Sequence, residues 1–526
     1  MLNKVLITHA AALQQKYGAA YEQLERAIAQ LVQADQARGL QCRLVRIDSA
    51  DDMQAVGGRA VHKPSPDAAK RAVDAICEAW HPEYVVLLGG PEIIPFVPLN
   101  NPCYAPHGDH DRVVPSDLPY ACSARYSTDP AKFLGPTRIV GRLPDVPGVA
   151  DPTFLLDLLR TASDWQPRDA AEYRRYFAIS AKAWQGSTSQ SLATVFGSSD
   201  DLAIVPPAGP SWPDPHLGRR IHFINCHGKQ TDPTFYGQHE KTFPVAETST
   251  QIIDKVTAGT VVAAECCYGA ELFPPHPRSG QLGICLTYMG HGAYAFLGSS
   301  TIAYGPSEGN GQADLICQYF LEAVLSGAST GRALLEARHR FAAGFSHLDP
   351  ADLKTLAQFY LLGDPAIQAV VKKPHALSNT DVYHKAIGGG GGARALRRER
   401  LVRTGTNLRD TLGAVCELQA ELPESVREIL EEAARDSGLE ALTPKSFAVK
   451  FPAAANRGEL RQFCERRDSR SIYMVSGRRP AGAAQLPPLV TLIATVEAGQ
   501  IVHLRRVHSH GAPIDRELPA DAPQRT

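Results

Sequence analysis

Short, almost wholly apolar runs alternate along the chain with longer stretches in which apolar residues recur every three or four positions, the pattern of strands set beside amphipathic helices. KVLITH (residues 4–9) predicts a strand, residues 13–39 a long helix and CRLVRID (42–48) a second strand, a β-α-β opening. Residues 66–80 predict another helix, with Ala72, Val73, Ile76, Cys77 and Trp80 on one face, and YVVLL (84–88) a third strand. DPTFLLDLLRTASDW (151–165) opens with an Asp cap and a Pro at the first helical position, and reads as the connector to a second α/β series. That series has strands at 176–184 and 220–225 with a loop and helix between them. Further on come a helix over 279–289, a strand and loop over 292–305, and helices over 311–326, 329–343 and 353–362. Strands separated by helices build mostly parallel sheets, and their near-continuous apolar runs are those buried on both faces.

Two of these runs stop at reactive side chains: IHFINCHG, from residue 221, ends at His227 and Gly228, and TVVAAECCYGA, from residue 260, passes through Cys266 and Cys267 to Gly269. Ligands bind beyond the carboxyl ends of parallel strands, so His227 and Cys266 are predicted to emerge at the same edge of one sheet. An imidazole beside a thiol favours the thiolate, and the pair suffices for acyl transfer. Gly228 leaves room for a substrate carbonyl, and its N–H with that of Cys266 would form an oxyanion hole. Each residue also has an ordinary reading, the histidine as a hydrogen-bonded structural group and the cysteine as a small buried apolar one. Zinc is the other competitor, with Cys226, His227, Cys266 and Cys267 as soft ligands. Adjacent residues of a strand point to opposite faces, which opposes that set, and no metal is assigned.

His-Gly ending one strand and Cys-x-x-Gly ending another, 39 residues on, resembles the caspase-fold cysteine peptidases, whose histidine precedes the cysteine by about 50 residues. Within that clan the chain resembles the gingipain family, because EYVVLLGGPEIIP (83–95), SDLPYAC (116–122), IVGRLPD (139–145) and FYLLGDPAI (359–367) follow that family's landmarks in its order. The resemblance implies tandem caspase-like α/β/α subdomains with mostly parallel sheets. A non-catalytic half would span residues 1–165 and a catalytic half residues 166–375. Its Cys-x-x-Gly spacing selects Cys266 as nucleophile, whereas the shorter caspase spacing would select Cys267; Cys266 is preferred. It also implies that the segment after the strand at 292–305 lines the pocket for the residue before the cut. Ser299, Ser300 and Thr301 would then sit near that pocket, Glu308 would supply its charge, and a basic residue would be preferred. Asp117 matches an aspartate of one landmark, with a turn cap as its equal alternative. Independently of the resemblance, the turn-rich KQTDPTFYGQ (229–238) is a candidate cleft wall, with Asp232 and Tyr236 as substrate contacts. Arg142 reads as a structural arginine tying the sheet to its loops, and Asp364 as the residue that turns the chain.

Lys plus Arg number 54 and Asp plus Glu 55, a net charge of −1, so no global field draws the chain toward nucleic acid or a membrane. Eleven cysteines scattered through 526 residues are not a disulfide framework. No leader pattern opens the sequence, and no run of about 20 apolar residues offers a membrane span. A cytoplasmic protein is expected, in contrast to the secreted gingipains. Gly89-Gly90-Pro91 lacks the order of a dinucleotide loop, and no organic cofactor is expected. HGDHD (107–111) reads as a solvated loop.

Beyond residue 374 the pattern changes. Five glycines (388–392) and the arginines Arg394, Arg397, Arg398, Arg400 and Arg403 mark residues 376–404 as a flexible linker. Its basic segment is a solvated helix face, a patch for nucleic acid or a processing site at Arg394, Arg397 or Arg398. Residues 405–526 predict a small α+β module, a helical hairpin over 407–436 followed by strands at 447–451, 471–477, 489–499 and 500–511, suited to binding a regulator or target. The function expected is a cysteine endopeptidase acting on protein substrates; the alternative is a catalytically silent caspase-like scaffold that binds a protein partner.

Overall fold

The computed structural model describes residues 3–106, 108–306, 309–344 and 348–371, residues 427 and 431, and the segments 415–417, 440–450, 470–478, 489–497 and 500–509. The chain divides into a large unit, residues 1–345 with 350–412, and a smaller one, residues 413–526 with 346–349. The large unit opens with β1 (Lys4–Thr8), β2 (Cys42–Arg46) and β3 (Tyr84–Leu88), where the apolar runs predicted them. A hairpin of β4 (Val97–Asn100) and β5 (Val113–Ser116) precedes β6 (Ile139–Leu143). The second series supplies β7 (Tyr176–Ala181), β8 (Leu202–Val205), β9 (Ile221–Asn225) and the hairpin of β10 (Thr234–Tyr236) and β11 (Val245–Thr248). It ends with β12 (Val261–Ala264), β13 (Ala295–Ser299) and β14 (Phe359–Leu362).

Ten of these strands form one continuous sheet in the order β2-β1-β3-β6-β14-β13-β12-β9-β7-β8. Every pairing is parallel except that of β13 with β14, so five strands run one way and five the other. The mostly parallel α/β architecture expected from the sequence is therefore present, its two halves fused edge to edge. The strand at the seam is the one that the helical pattern over 353–362 hid. The helix there is Pro350–Gln358, and FYLL continues as β14, buried throughout, because a partner lies on each side of it. The long predicted helix over 13–39 is two, Ala10–Tyr17 and Tyr21–Ala37, broken at Gly18, whose φ of 54° ends the first. The helix Pro66–Trp80 stands as predicted, with Ser65 as its cap.

Buried charges tie the strands to their loops. Lys4, wholly inside, bonds Asp35 and Asp364, and the Asp364 carboxylate also accepts from the Ala366 N–H at 2.9 Å, so this aspartate both turns the chain and neutralises a buried cation. Arg142 is structural, as its sequence context indicated. Its Nε and Nη2 meet Asp117 at 2.8 and 2.6 Å, and its Nη1 donates to the Gly89 and Ile94 carbonyls, each at 2.8 Å. Asp117 is thus this arginine's counter-ion, and its side chain caps no turn.

The described part of the smaller unit is an antiparallel meander of β15 (Val415–Glu417), β16 (Glu440–Lys450), β17 (Arg470–Arg478), β18 (Leu489–Glu497) and β19 (Gln500–Ser509). The strands read from alternating apolar residues fall in place. The helical hairpin predicted over 407–436 does not extend through residues 415–417, which pair with β16 as a strand. The Gly/Arg segment with Arg394, Arg397 and Arg398 lies outside the described residues. Among the described residues no helix is long and apolar enough to cross a membrane.

Candidate active site

The strands β9 and β12 lie side by side and parallel, with Ile221 opposite Val261 and Ile224 opposite Ala264. Both are buried on both faces, so each chain must leave the sheet at its carboxyl end, and His227 and Cys266 emerge at one rim as predicted. A Cβ placed on Gly228 would run into the Cys267 carbonyl and stand 3.5 Å from the Cys266 Cβ. The His-Gly corner therefore rests on the turn that carries the thiols. On the side where a Cβ would stand, Gly228 is covered by the chain's own Cys267 carbonyl. That close approach is what requires glycine there.

The main chain holds His227 through reciprocal 2.8 Å bonds with Tyr236, which fasten the β10–β11 hairpin to it. Its Nε2 lies 2.8 Å from the Gln238 Oε1, and the Gln238 amide donates in turn to the Glu240 carbonyl at 3.1 Å. An amide oxygen only accepts, so Nε2 carries the proton and Nδ1 keeps the lone pair of a base. Two aromatic rings touch the imidazole, Trp184 at 4.4 Å between centroids and Phe243 at 5.1 Å. Burial lowers the pKa of His227 and the Gln238 bond opposes this only in part, so the ring is neutral near pH 7.

Cys266 is fully buried, its Sγ 3.8 Å from the Ile224 carbonyl, and burial together with neighbouring Cys226 holds its thiol well above the ordinary range. A buried polar chain runs from the amino end of β9 toward Glu247. The buried His222 has its Nε2 3.0 Å from the Arg219 carbonyl and its Nδ1 2.8 Å from the Tyr288 hydroxyl, which is 3.1 Å from Glu247. Burial lowers His222 to about 4, so the neutral ring donates from Nε2 and accepts at Nδ1. Tyr288 must then give its only proton to His222, which leaves its oxygen to accept from a protonated Glu247. Burial does raise this carboxyl, to about 8. Cys267 is half-buried and faces away, receiving the Ala303 N–H at 3.3 Å beyond β13. With Cys226 inside, Cys267 turned outward and His227 held by Gln238, the four soft ligands do not converge.

Ser299, Ser300 and Thr301, expected at a substrate pocket, are instead turned inward. Ser299 Oγ lies 2.8 Å from the Cys266 carbonyl, Thr301 Oγ1 bonds Gln358 at 2.8 Å, and the Thr301 carbonyl receives the Tyr268 N–H at 2.9 Å. All three are under 5% exposed, and Ser299 and Thr301 support the cysteine turn because β13 delivers them beneath it. Glu308 lies outside the described residues. Asp232 and Tyr236 are half-buried and bond each other at 3.0 Å, at the His227 wall. Of the loop read as solvated, residues 108–111 are described, and its two aspartates tie it down while Gly108 and His110 stay exposed. Asp109 is buried against Lys354, with Tyr304 at 2.8 Å, and Asp111 holds the Tyr268 hydroxyl at 2.9 Å. That bond steadies Tyr268 in a left-handed conformation, φ 53°, which a non-glycine residue rarely adopts. Gln238, Trp184, Phe243 and Glu247 were missed in the sequence; only Gln238, two residues after Tyr236 in the cleft-wall segment, stood where a reader could have looked.

Residues 219–370, which include both His227 and Cys266, match the family model described as Peptidase family C25. No curated protein sequence matches the chain. A solved complex of the pro- and mature domains of RgpB from Porphyromonas gingivalis aligns over 96% of this chain and all of its own, at 10% identity and a TM-score of 0.47. The Saccharomyces cerevisiae separase–securin complex aligns over 45% of this chain and 14% of its own, at 14% identity and a TM-score of 0.28.

Proposed function

We propose that this chain, whose segment 219–370 matches the model of Peptidase family C25, is a gingipain-like cysteine peptidase that cleaves protein substrates with Cys266 as nucleophile and His227 as its base and acid. His227 Nδ1 takes the thiol proton and the sulfur attacks the peptide carbonyl. The same proton passes to the leaving amine as the C–N bond breaks, and water then frees the acyl group. Gln238, which accepts from Nε2, fixes the tautomer this requires. The observation that carries the assignment is the seat of the Cys266 Cβ against the His-Gly corner. The Cys267 sulfur points toward Ala303 past β13, while His227 packs against Trp184 just past β7, on the other side of β12. Attack requires the Cys266 sulfur to turn out from the Ile224 carbonyl. Preference for a basic residue before the cut rests on the gingipain resemblance, and processing at Arg394, Arg397 or Arg398 on the basic sequence. A cytoplasmic setting rests on the eleven cysteines scattered along the sequence.

The complete burial of Cys266 favours one other reading, a silent scaffold that binds a protein partner. Labelling with a thiol-directed acyloxymethyl ketone and a panel of fluorogenic peptides separates the two. Cys266→Ala should abolish labelling and lower turnover by at least about a thousandfold, with Cys267→Ala retaining both. Undiminished activity in Cys266→Ala removes the assignment, and silence of the wild-type chain favours the scaffold.

A further inference from the structure

We infer that Trp184 and Phe243 form an apolar subsite for the residue that follows the cut bond, so that the enzyme selects an aromatic or large aliphatic side chain at that position. The inference rests on the peptidase reading above. Phe243 is 53% exposed, the most open of the large apolar side chains described, and it stands at the tip of the β10–β11 hairpin, where residues 239–243 all face solvent. A single exposed apolar residue is ordinary. Here, however, the ring meets the His227 imidazole edge to face, at 5.1 Å between centroids and 78° between planes, and half-buried Trp184 packs against the same imidazole at 4.4 Å, inclined by 51°. Two aromatic surfaces thus border the group that moves the proton.

The chemistry says which part of a substrate reaches them. His227 must deliver its proton to the leaving nitrogen, so that nitrogen comes within hydrogen-bond reach of the ring. It is the backbone nitrogen of the residue after the cut, whose side chain starts one carbon away. The side chains packed around His227 therefore belong to the leaving half of the cleft and cannot serve the acyl half, which is held at Cys266. The hairpin keeps this relation because His227 and Tyr236 exchange two 2.8 Å backbone bonds, Gly237 donates to the Pro244 carbonyl at 2.8 Å, and His239 and Thr242 pair across the tip. The two rings offer an apolar surface, and an apolar side chain gains most by covering them.

The full chain tests this with a combinatorial peptide library, its cleavage sites read by mass spectrometry, alongside labelling by the acyloxymethyl ketone. Phe, Tyr, Leu and Met should be enriched after the cut at least about fivefold over Gly, Asp and Glu. Phe243→Ala should reduce that ratio by about the same factor, Phe243→Leu should restore most of it, and Trp184→Ala should reduce it again. Because Phe243 is exposed, its variants keep the fold, and a ratio between substrates is insensitive to how much enzyme is active. A chain that cuts the library with no preference after the cut, or whose preference survives both alanine variants, overturns the subsite and leaves the peptidase reading standing. A chain that neither cuts nor takes the label overturns both.

Discussion

The carboxyl end of β6 and that of β12 carry buried ionisable groups in the same sheet, and the two places treat them in opposite ways. At β6, Arg142 keeps its charge and is matched completely: a carboxylate in a two-bond fork, two carbonyls, and the face of Phe96 at 4.4 Å. At β12 and its neighbour β9 the buried groups have no counter-ion. The Cys266 thiol is pushed up and His227 is pushed down at this rim, while behind it the Glu247 carboxyl rises to about 8 and His222, at the amino end of β9, is pushed down, all chiefly by burial. A matched charge fixes structure and has nothing left to exchange. Groups held in their neutral forms can still move a proton, and this difference separates the rim that holds the fold from the rim proposed to do chemistry.

The largest effect should come from breaking the matched site. Arg142→Met leaves Asp117 charged, 4% exposed and without its partner, and should cost about 3–5 kcal/mol in chemical denaturation. A loss under about 1 kcal/mol would show that the pair is not the tie described. Glu247→Gln sharpens the other side. A carboxyl raised from 4.5 to about 8 stabilises the fold below the lower value and loses that contribution as pH rises through the upper one. The wild-type stability should therefore fall between pH 5 and 8 by on the order of 3 kcal/mol more than that of the glutamine variant, the remaining slope of which comes from other buried groups such as Glu265 and Glu271. Equal slopes would mean that the carboxyl is already ionised inside. The smallest expected change is that of Gln238→Glu. A carboxylate on Nε2 should raise His227 and move the acid limb of kcat/KM upward by about one pH unit, some 1.4 kcal/mol. An unmoved limb would place the working nitrogen elsewhere.

Much of this molecule was legible in its sequence. The runs at 4–9, 84–88 and 220–225 are apolar because neighbours cover both faces, and the rule that such strands release ligand-binding residues at their carboxyl ends placed His227 and Cys266 together. Arg142 also read correctly, since an arginine inside an apolar run has to find a partner. The same kind of reading failed at FYLL, where four apolar residues after a helix do not say whether the helix goes on, and it failed at Asp109 and Asp111, where polar composition suggested solvent. Lys354, which buries that loop, lies some 245 residues away in sequence.

Local periodicity thus determined the elements, their mostly parallel arrangement and the pair of residues on which catalysis is proposed to depend, because alternation and helical spacing are properties of neighbours along the chain. Only the tertiary structure decided that the halves fuse at β14, that Cys266 lies sealed beside Glu247, and that Gln238, Trp184 and Phe243 surround the imidazole. Burial and hydrogen bonding depend on which distant segments pack together, and those partners set the protonation, the tautomer and the exposure of every group at the rim.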